Sequence, residues 1–353
     1  MIRVVAVVAG LASVVGVLGH SQALVTHEYA DVNGVRLHYA RAGRGPLMMF
    51  LHGFPEFWYE WKHQIADFGR DHTAVAPDMR GYNLSSKPTE LSAYEMPQLV
   101  EDVRALAAHL LQNSCREQNG GTGLRTPRGD PSPLYDETCS RFTLVAHDWG
   151  GVVAWVFAAQ HPEMLDKLVI VNAPHPTIFA RELRENPKQQ QASAYMLLFR
   201  SPEAEATLSA NEYARLKQAV LTNAGADDIA AYVAAWSQPG ALTGGLNYYR
   251  AARVGPPAPS AATASADAGR GRSLDRPPTE PSEDRSLPDV VVRVPTLVIW
   301  GEKDTALLTG NLDGLERVVP SLTIKRIPEG THWVVRERAG DVNALIREFL
   351  APK

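Results

Sequence analysis

The chain has 353 residues, 45% of them hydrophobic and 21% charged, with a formal net charge of -4. Those values belong to a folded globular protein and exclude a collagen, a disordered acidic or basic chain and a polytopic membrane protein. With 35 Lys+Arg against 39 Asp+Glu, no global field draws in nucleic acid or anionic lipid, and a small-molecule site is the better expectation.

Taken in chain order, residues 1–23 open with Arg3 and an apolar run from Val4 to Leu18, and they end His20-Ser21-Gln22-Ala23. This is the layout of a secretory signal peptide cleaved after Ala23, and it is too short to span a bilayer comfortably. Export to a periplasm or the extracellular space is the expectation, with the cytoplasm as the alternative if this segment is not a working signal. Val35 to Ala40 alternates as a half-buried strand does. Leu47 to Leu51, Thr73 to Pro77, Phe142 to Ala146, Leu168 to Val171 and Thr296 to Trp300 are short apolar runs of the kind that form buried parallel strands. Helical patterns cover Pro55 to Gly69, Met96 to Gln112, Gly150 to Gln160 and Ala339 to Leu350. Strands alternating with helices predict an α/β fold with a doubly wound, mostly parallel sheet. The interval from His175 to about Arg250 breaks the alternation, is helix-rich and reads as a separate lid.

Two stretches look inserted. Asn113 to Ser140 carries a Gly120-Gly121-Thr122-Gly123 run and Pro127, Pro131 and Pro133, and Gly255 to Pro288 is rich in Pro, Ala, Ser, Asp and Arg. Neither can bury enough apolar surface to offset its ordering entropy, so both are expected to be flexible loops. Cys115 and Cys139 flank the first and are expected to pair after export. The bridge would close a loop of about 25 residues and contribute on the order of 3 kcal/mol.

The most informative stretch runs from Phe142 through His147-Asp148-Trp149-Gly150-Gly151. An apolar strand turns sharply into a helix, with small residues, Ala146 and Gly150, on either side of Asp148, as a nucleophile elbow requires. A carboxylate at the centre suits displacement at an sp3 carbon, because it leaves an ester whose carbonyl water can attack. A helix N-cap is the other use of such an Asp. After Leu47 to Leu51 comes His52-Gly53-Phe54-Pro55, a turn at the carboxyl end of a second strand. Backbone N–H groups of Phe54 and Trp149 could there bind an oxyanion. Gly301-Glu302-Lys303-Asp304 follows another strand, with Asp304 the better candidate to orient a histidine and Glu302 the alternative. His332, in Gly330-Thr331-His332-Trp333, completes the order nucleophile, acid, histidine.

With these motifs, and with Asp78-Met79-Arg80-Gly81-Tyr82, the chain resembles the α/β-hydrolase superfamily and, within it, the epoxide hydrolases. The resemblance spans about Thr26 to Phe349 apart from the two loops. It implies a helical cap after the sixth strand, and so a division into a core of 24–174 and 289–353, a cap of 175–254 and a loop of 255–288. It also implies two cap tyrosines that protonate the epoxide oxygen, matched by Tyr249 in Leu246-Asn247-Tyr248-Tyr249-Arg250 and more loosely by Tyr195, with Tyr248 as packing. The implied substrates are a small apolar epoxide and water, with no metal or organic cofactor. Phe54, Trp58, Trp149 and Trp333 are the expected pocket lining, and His147 is expected to support the turn. A haloalkane or haloacid dehalogenase would use the same nucleophile, and a non-catalytic binding protein could use the same fold. The particular epoxide and the oligomeric state are open at this stage.

Overall fold

The computed structural model describes residues 25–118, 140–222, 224–257 and 290–352. The signal-like segment, most of both loops and the pairing of Cys115 with Cys139 lie outside the described residues.

The strands are β1 (Thr26–Val32), β2 (Val35–Ala42), β3 (Leu47–Leu51), β4 (Thr73–Pro77), β5 (Phe142–His147), β6 (Leu165–Val171), β7 (Thr296–Gly301) and β8 (Leu322–Ile327). They form one sheet in the order β1-β2-β4-β3-β5-β6-β7-β8. β2 is antiparallel to β1 and β4, and the remaining pairs are parallel. The continuous apolar runs of β3, β4, β5 and β7 are buried at every residue, as strands covered on both faces must be, whereas the edge strands β1 and β8 are part-exposed. β1 was not anticipated: Thr-His-Glu-Tyr-Ala-Asp-Val holds few apolar residues because only one edge of it is paired.

Helices α1 (Lys62–Phe68), α2 (Met96–Gln118) and α3 (Asp148–Gln160) precede or flank the central strands. Between β6 and β7 lie α4 (Pro176–Glu185), α5 (Pro187–Ala192), α6 (Tyr195–Arg200), α7 (Ala204–Val220), α8 (Ala226–Trp236) and α9 (Ala241–Ala252). A left-handed turn at Asn211, Glu212 and Tyr213 divides α7. After β8 come α10 (Val334–Glu337) and α11 (Ala339–Leu350). Among the boundaries that differ from expectation are three at helices. α2 runs on to Gln118 rather than stopping at Gln112. The helix expected from Pro55 begins as a 3-10 turn at Trp58, because the backbone before it is engaged elsewhere, Trp58 N–H donating to Asp78 Oδ1 at 3.0 Å. Helix α3 starts at Asp148 itself rather than at Gly150.

Parallel pairing sets Leu51 beside Ala146, Ala146 beside Ile170, Val171 beside Ile299 and Gly301 beside Ile327. The chain therefore leaves β3, β5, β6, β7 and β8 along one edge of the sheet. That edge, at the carboxyl ends, is where open α/β sheets build their sites.

Candidate active site

Asp148 is the first residue of α3, directly after β5, with φ at 47°, a left-handed conformation uncommon for a residue with a side chain. Two glycines make the turn possible. A Cβ on Gly150 would lie 2.5 Å from the carbonyl oxygens of Leu51 and His52, and one on Gly53 would lie 2.2 Å from Cβ of Asp148. The elbow is thus pressed against the end of β3, and Phe54 N–H donates to Asp148 Oδ1 at 2.8 Å.

Facing it, His332 Nε2 stands 3.6 Å from Asp148 Oδ2, and His332 Nδ1 donates to Asp304 Oδ2 at 2.7 Å. Asp304 is fixed by N–H donors from Ala306 and Leu307 on its other oxygen, at 2.8 and 2.9 Å. Glu302, the alternative acid, points away and pairs with Arg326 on the surface. His147 Nε2 donates to the carbonyl of His332 at 2.9 Å, while its Nδ1 is 2.5 Å from Glu60 Oε1.

Burial opposes charge on all of these groups, but the charges uphold one another. Despite burial, Asp304 and Asp148 raise His332 well above the ordinary histidine range. Conversely, burial would raise Asp148 and Asp304, yet both are held below the usual carboxylate value, chiefly by His332. The histidine thus lies in line between two carboxylates, and each charge favours the others.

A set of rings walls the nucleophile. Tyr249 packs edge-on to Trp149, Phe54 and Phe199 at centroid distances of 5.1, 5.5 and 5.1 Å. Tyr195 packs on Phe199 at 5.1 Å and stands 6.4 Å from Tyr249. Burial, and next the charge of Asp148, push the hydroxyl of Tyr195 well above the ordinary tyrosine value, and burial followed by Asp148 does the same to Tyr249. Both therefore carry their protons at neutral pH. Tyr248 turns away, its hydroxyl donating to the Arg80 carbonyl at 2.9 Å. Trp333 packs edge-on to His332 at 4.7 Å. The structure does not bring Trp58 into this ring set. Held by the Asp78 bond to its N–H, it packs on His27, Phe57 and Tyr59 instead.

Several residues at the site were not singled out from sequence. Asn172, directly after β6 and buried, donates from Nδ2 to Asp304 Oδ2 at 2.8 Å and accepts from Gly301 N–H at 2.7 Å. Its place at a strand's carboxyl end was the available signal. Phe199 and the buried acids Glu56 and Glu60 had none beyond lying near a motif. No group of three or more potential metal ligands occurs among the described residues.

The chain belongs to the Alpha/beta hydrolase family, whose sequence profile matches residues 48–345. Among its relatives, the AB hydrolase superfamily protein YfhM of Bacillus subtilis (strain 168) is 35% identical over 334 residues, 92% of this chain and 97% of that protein. Epoxide hydrolase 4 of Mus musculus is 31% identical over 345 residues, 93% of this chain and 80% of the mouse protein. In three dimensions the chain is similar to the crystal structure of Bacillus megaterium epoxide hydrolase in complex with an inhibitor, with a TM-score of 0.71, 35% identity and coverage of 92% of this chain and 99% of that one. Within the family the chain thus falls among the epoxide hydrolases.

Proposed function

We propose that the protein hydrolyses epoxides to vicinal diols through a covalent ester on Asp148. The observation that carries this reading is a carboxylate nucleophile backed by His332 and Asp304, whose charge acts on two protonated phenols, the buried Tyr249 and the part-buried Tyr195. Epoxide hydrolases among relatives and solved structures agree with it.

An oxygen of Asp148 attacks an epoxide carbon and the C–O bond breaks. Tyr249 or Tyr195 gives its proton to the departing oxygen and is left as a phenolate. Ester formation also removes the negative charge of Asp148, one of the two charges that keep His332 protonated. The histidine then releases its proton, which restores the phenol through solvent, and becomes a base. It takes a proton from water as the water attacks the ester carbonyl. The N–H groups of Phe54 and Trp149 hold the oxyanion; on collapse the departing alcohol oxygen takes the proton of the hydroxyl that water added, which returns the Asp148 carboxylate, the imidazolium and the diol. Atoms and charge close on epoxide plus water. The N–H of Phe54 already lies on Asp148 Oδ1, the oxygen that would carry that charge.

In this reading the helices between β6 and β7 act as a cap that brings the tyrosines over the nucleophile and excludes water from the ring-lined space. No helix among the described residues is long and apolar enough to cross a membrane. Residues 1–23 would direct export, to be checked by the N-terminal residue of the mature protein, Leu24 if cleavage follows Ala23. The reaction itself is tested by offering styrene oxide and a bromoalkane to the purified enzyme. Diol release without bromide release is expected, and bromide release without diol contradicts the proposal.

A further inference from the structure

Arg336 takes no part in the chemistry above, yet three parts of the site meet at its guanidinium. It lies on α10, one turn after His332. Nη1 donates to the Tyr232 hydroxyl at 3.1 Å and stands 3.6 Å from Glu56 Oε1, and Nη2 donates to the carbonyl of Val220. Tyr232 donates in turn to the other oxygen of Glu56, and one turn along α8 the Trp236 indole N–H donates to the Pro55 carbonyl at 2.6 Å. Pro55 and Glu56 follow directly on Phe54, whose N–H holds Asp148. One side chain thus joins the helix after the histidine, the loop that contacts the nucleophile, the end of α7 and the middle of α8.

We propose that Arg336 is a positioning residue for His332, needed for hydrolysis of the ester and not for its formation. The inference rests on the reaction proposed above. α10 is a single turn and cannot hold its place by its own hydrogen bonds. Upstream, His332 is anchored by His147 at its carbonyl and by Asp304 at its ring. Downstream, α10 is held by its buried Val334 and Val335, by the Gln64 amide donating to the Val335 carbonyl and by the fork of Arg336, which reaches several acceptors in fixed directions as a lysine could not. The partners of ring opening are held elsewhere. Asp148 is set by the elbow and Phe54 N–H, and α9, with Tyr249, is pinned by Tyr248 to the Arg80 carbonyl. A shift of α10 therefore moves the base, while the Phe54 loop stays held by Tyr232 on Glu56 and by Trp236 on the Pro55 carbonyl and keeps the nucleophile in place.

The test is rapid mixing of wild type, Arg336→Met and Arg336→Lys with styrene oxide, following the ester by intact-protein mass. In Arg336→Met the ester is expected to form within about threefold of the wild-type rate and to hydrolyse at least about tenfold more slowly, so that it accumulates. Arg336→Lys is expected to fall between. The side chain of Glu56 is 1% exposed, so loss of the cation alone leaves a buried carboxyl unpaired. The double variant Arg336→Met/Glu56→Gln removes that carboxyl and is expected to regain thermal stability while its ester hydrolysis stays slow. Unchanged hydrolysis in Arg336→Met, or full recovery in the double variant, overturns the proposal. Without any substrate, the downfield proton NMR signal of His332 Nδ1–H reports its bond to Asp304. It is expected to shift or broaden in Arg336→Met, and an unchanged signal also overturns the proposal. A wild type that forms neither ester nor diol refutes the epoxide reading instead, and the NMR result still judges Arg336.

Discussion

Asp304 Oδ2 receives two bonds at once, from His332 Nδ1 at 2.7 Å and from Asn172 Nδ2 at 2.8 Å. Asn172, with its own left-handed φ of 36°, also spans to Gly301 N–H and so ties the end of β6 to the end of β7. Asn172→Ala is expected to lower stability by about 1–3 kcal/mol, since buried partners lose their bonds. It is also expected to slow turnover at least about tenfold by freeing the acid that orients the base. Thermal unfolding and steady-state kinetics check this, and a variant of unchanged turnover contradicts it.

Close approach at the elbow gives a second expectation. Because a Cβ on Gly53 would lie 2.2 Å from Cβ and 2.4 Å from Oδ1 of Asp148, Gly53→Ala must displace either the nucleophile or the Phe54 loop. The expected result is a folded or weakly folded protein, destabilised by about 1–3 kcal/mol and with little ester formation. An alanine variant that forms ester at the wild-type rate shows that the elbow has room the structure denies it.

The tyrosines separate by role. Tyr249→Phe and Tyr195→Phe are expected to slow ring opening by about 10²-fold or more when combined, because the departing oxygen loses both proton donors. Tyr248→Phe removes only the bond to the Arg80 carbonyl and is expected to cost about 1 kcal/mol of stability with ester formation unchanged. Rapid-mixing rates for the three variants decide it, and equal losses for Tyr248 and Tyr249 would contradict the assignment.

His332 titrates above the ordinary histidine value because two carboxylates flank it. Its contribution to stability is therefore complete below about pH 6.5, the unfolded value, and is lost as pH rises through the folded one. Asp148→Asn removes one of the charges much as ester formation does. The titration of His332, followed by NMR, is expected to move down, and the alkaline decline in thermal stability to begin at lower pH. A titration that stays put would separate the histidine from the charge of the nucleophile, and with it the means by which ester formation frees the base.

Much of the fold was legible in the residues themselves. Leu47–Leu51, Thr73–Pro77 and Ala339–Leu350 occur where periodicity places them, because their burial is uniform or one-sided along the element. Asp148 was readable through its small neighbours, and the order of Asp148, Asp304 and His332 along the chain suggested how they meet. Other features depend on contacts between distant segments. Arg336 pairs with Glu56 from the far end of the chain, and Asn172 owes its role to the register of β6 against β7. Trp58 shows the reverse. Its motif marked it for the pocket, but its N–H is bound to Asp78 and its ring packs on His27 of β1.

The central claim is the ester on Asp148, and a single turnover in oxygen-18 water tests it most directly. With enzyme in excess over styrene oxide, the account predicts that the label enters the carboxylate of Asp148, found in the peptide that contains it, while the first diol carries an unlabelled oxygen from the enzyme. A labelled diol with an unlabelled Asp148 would show direct attack of water on the epoxide and would contradict the account.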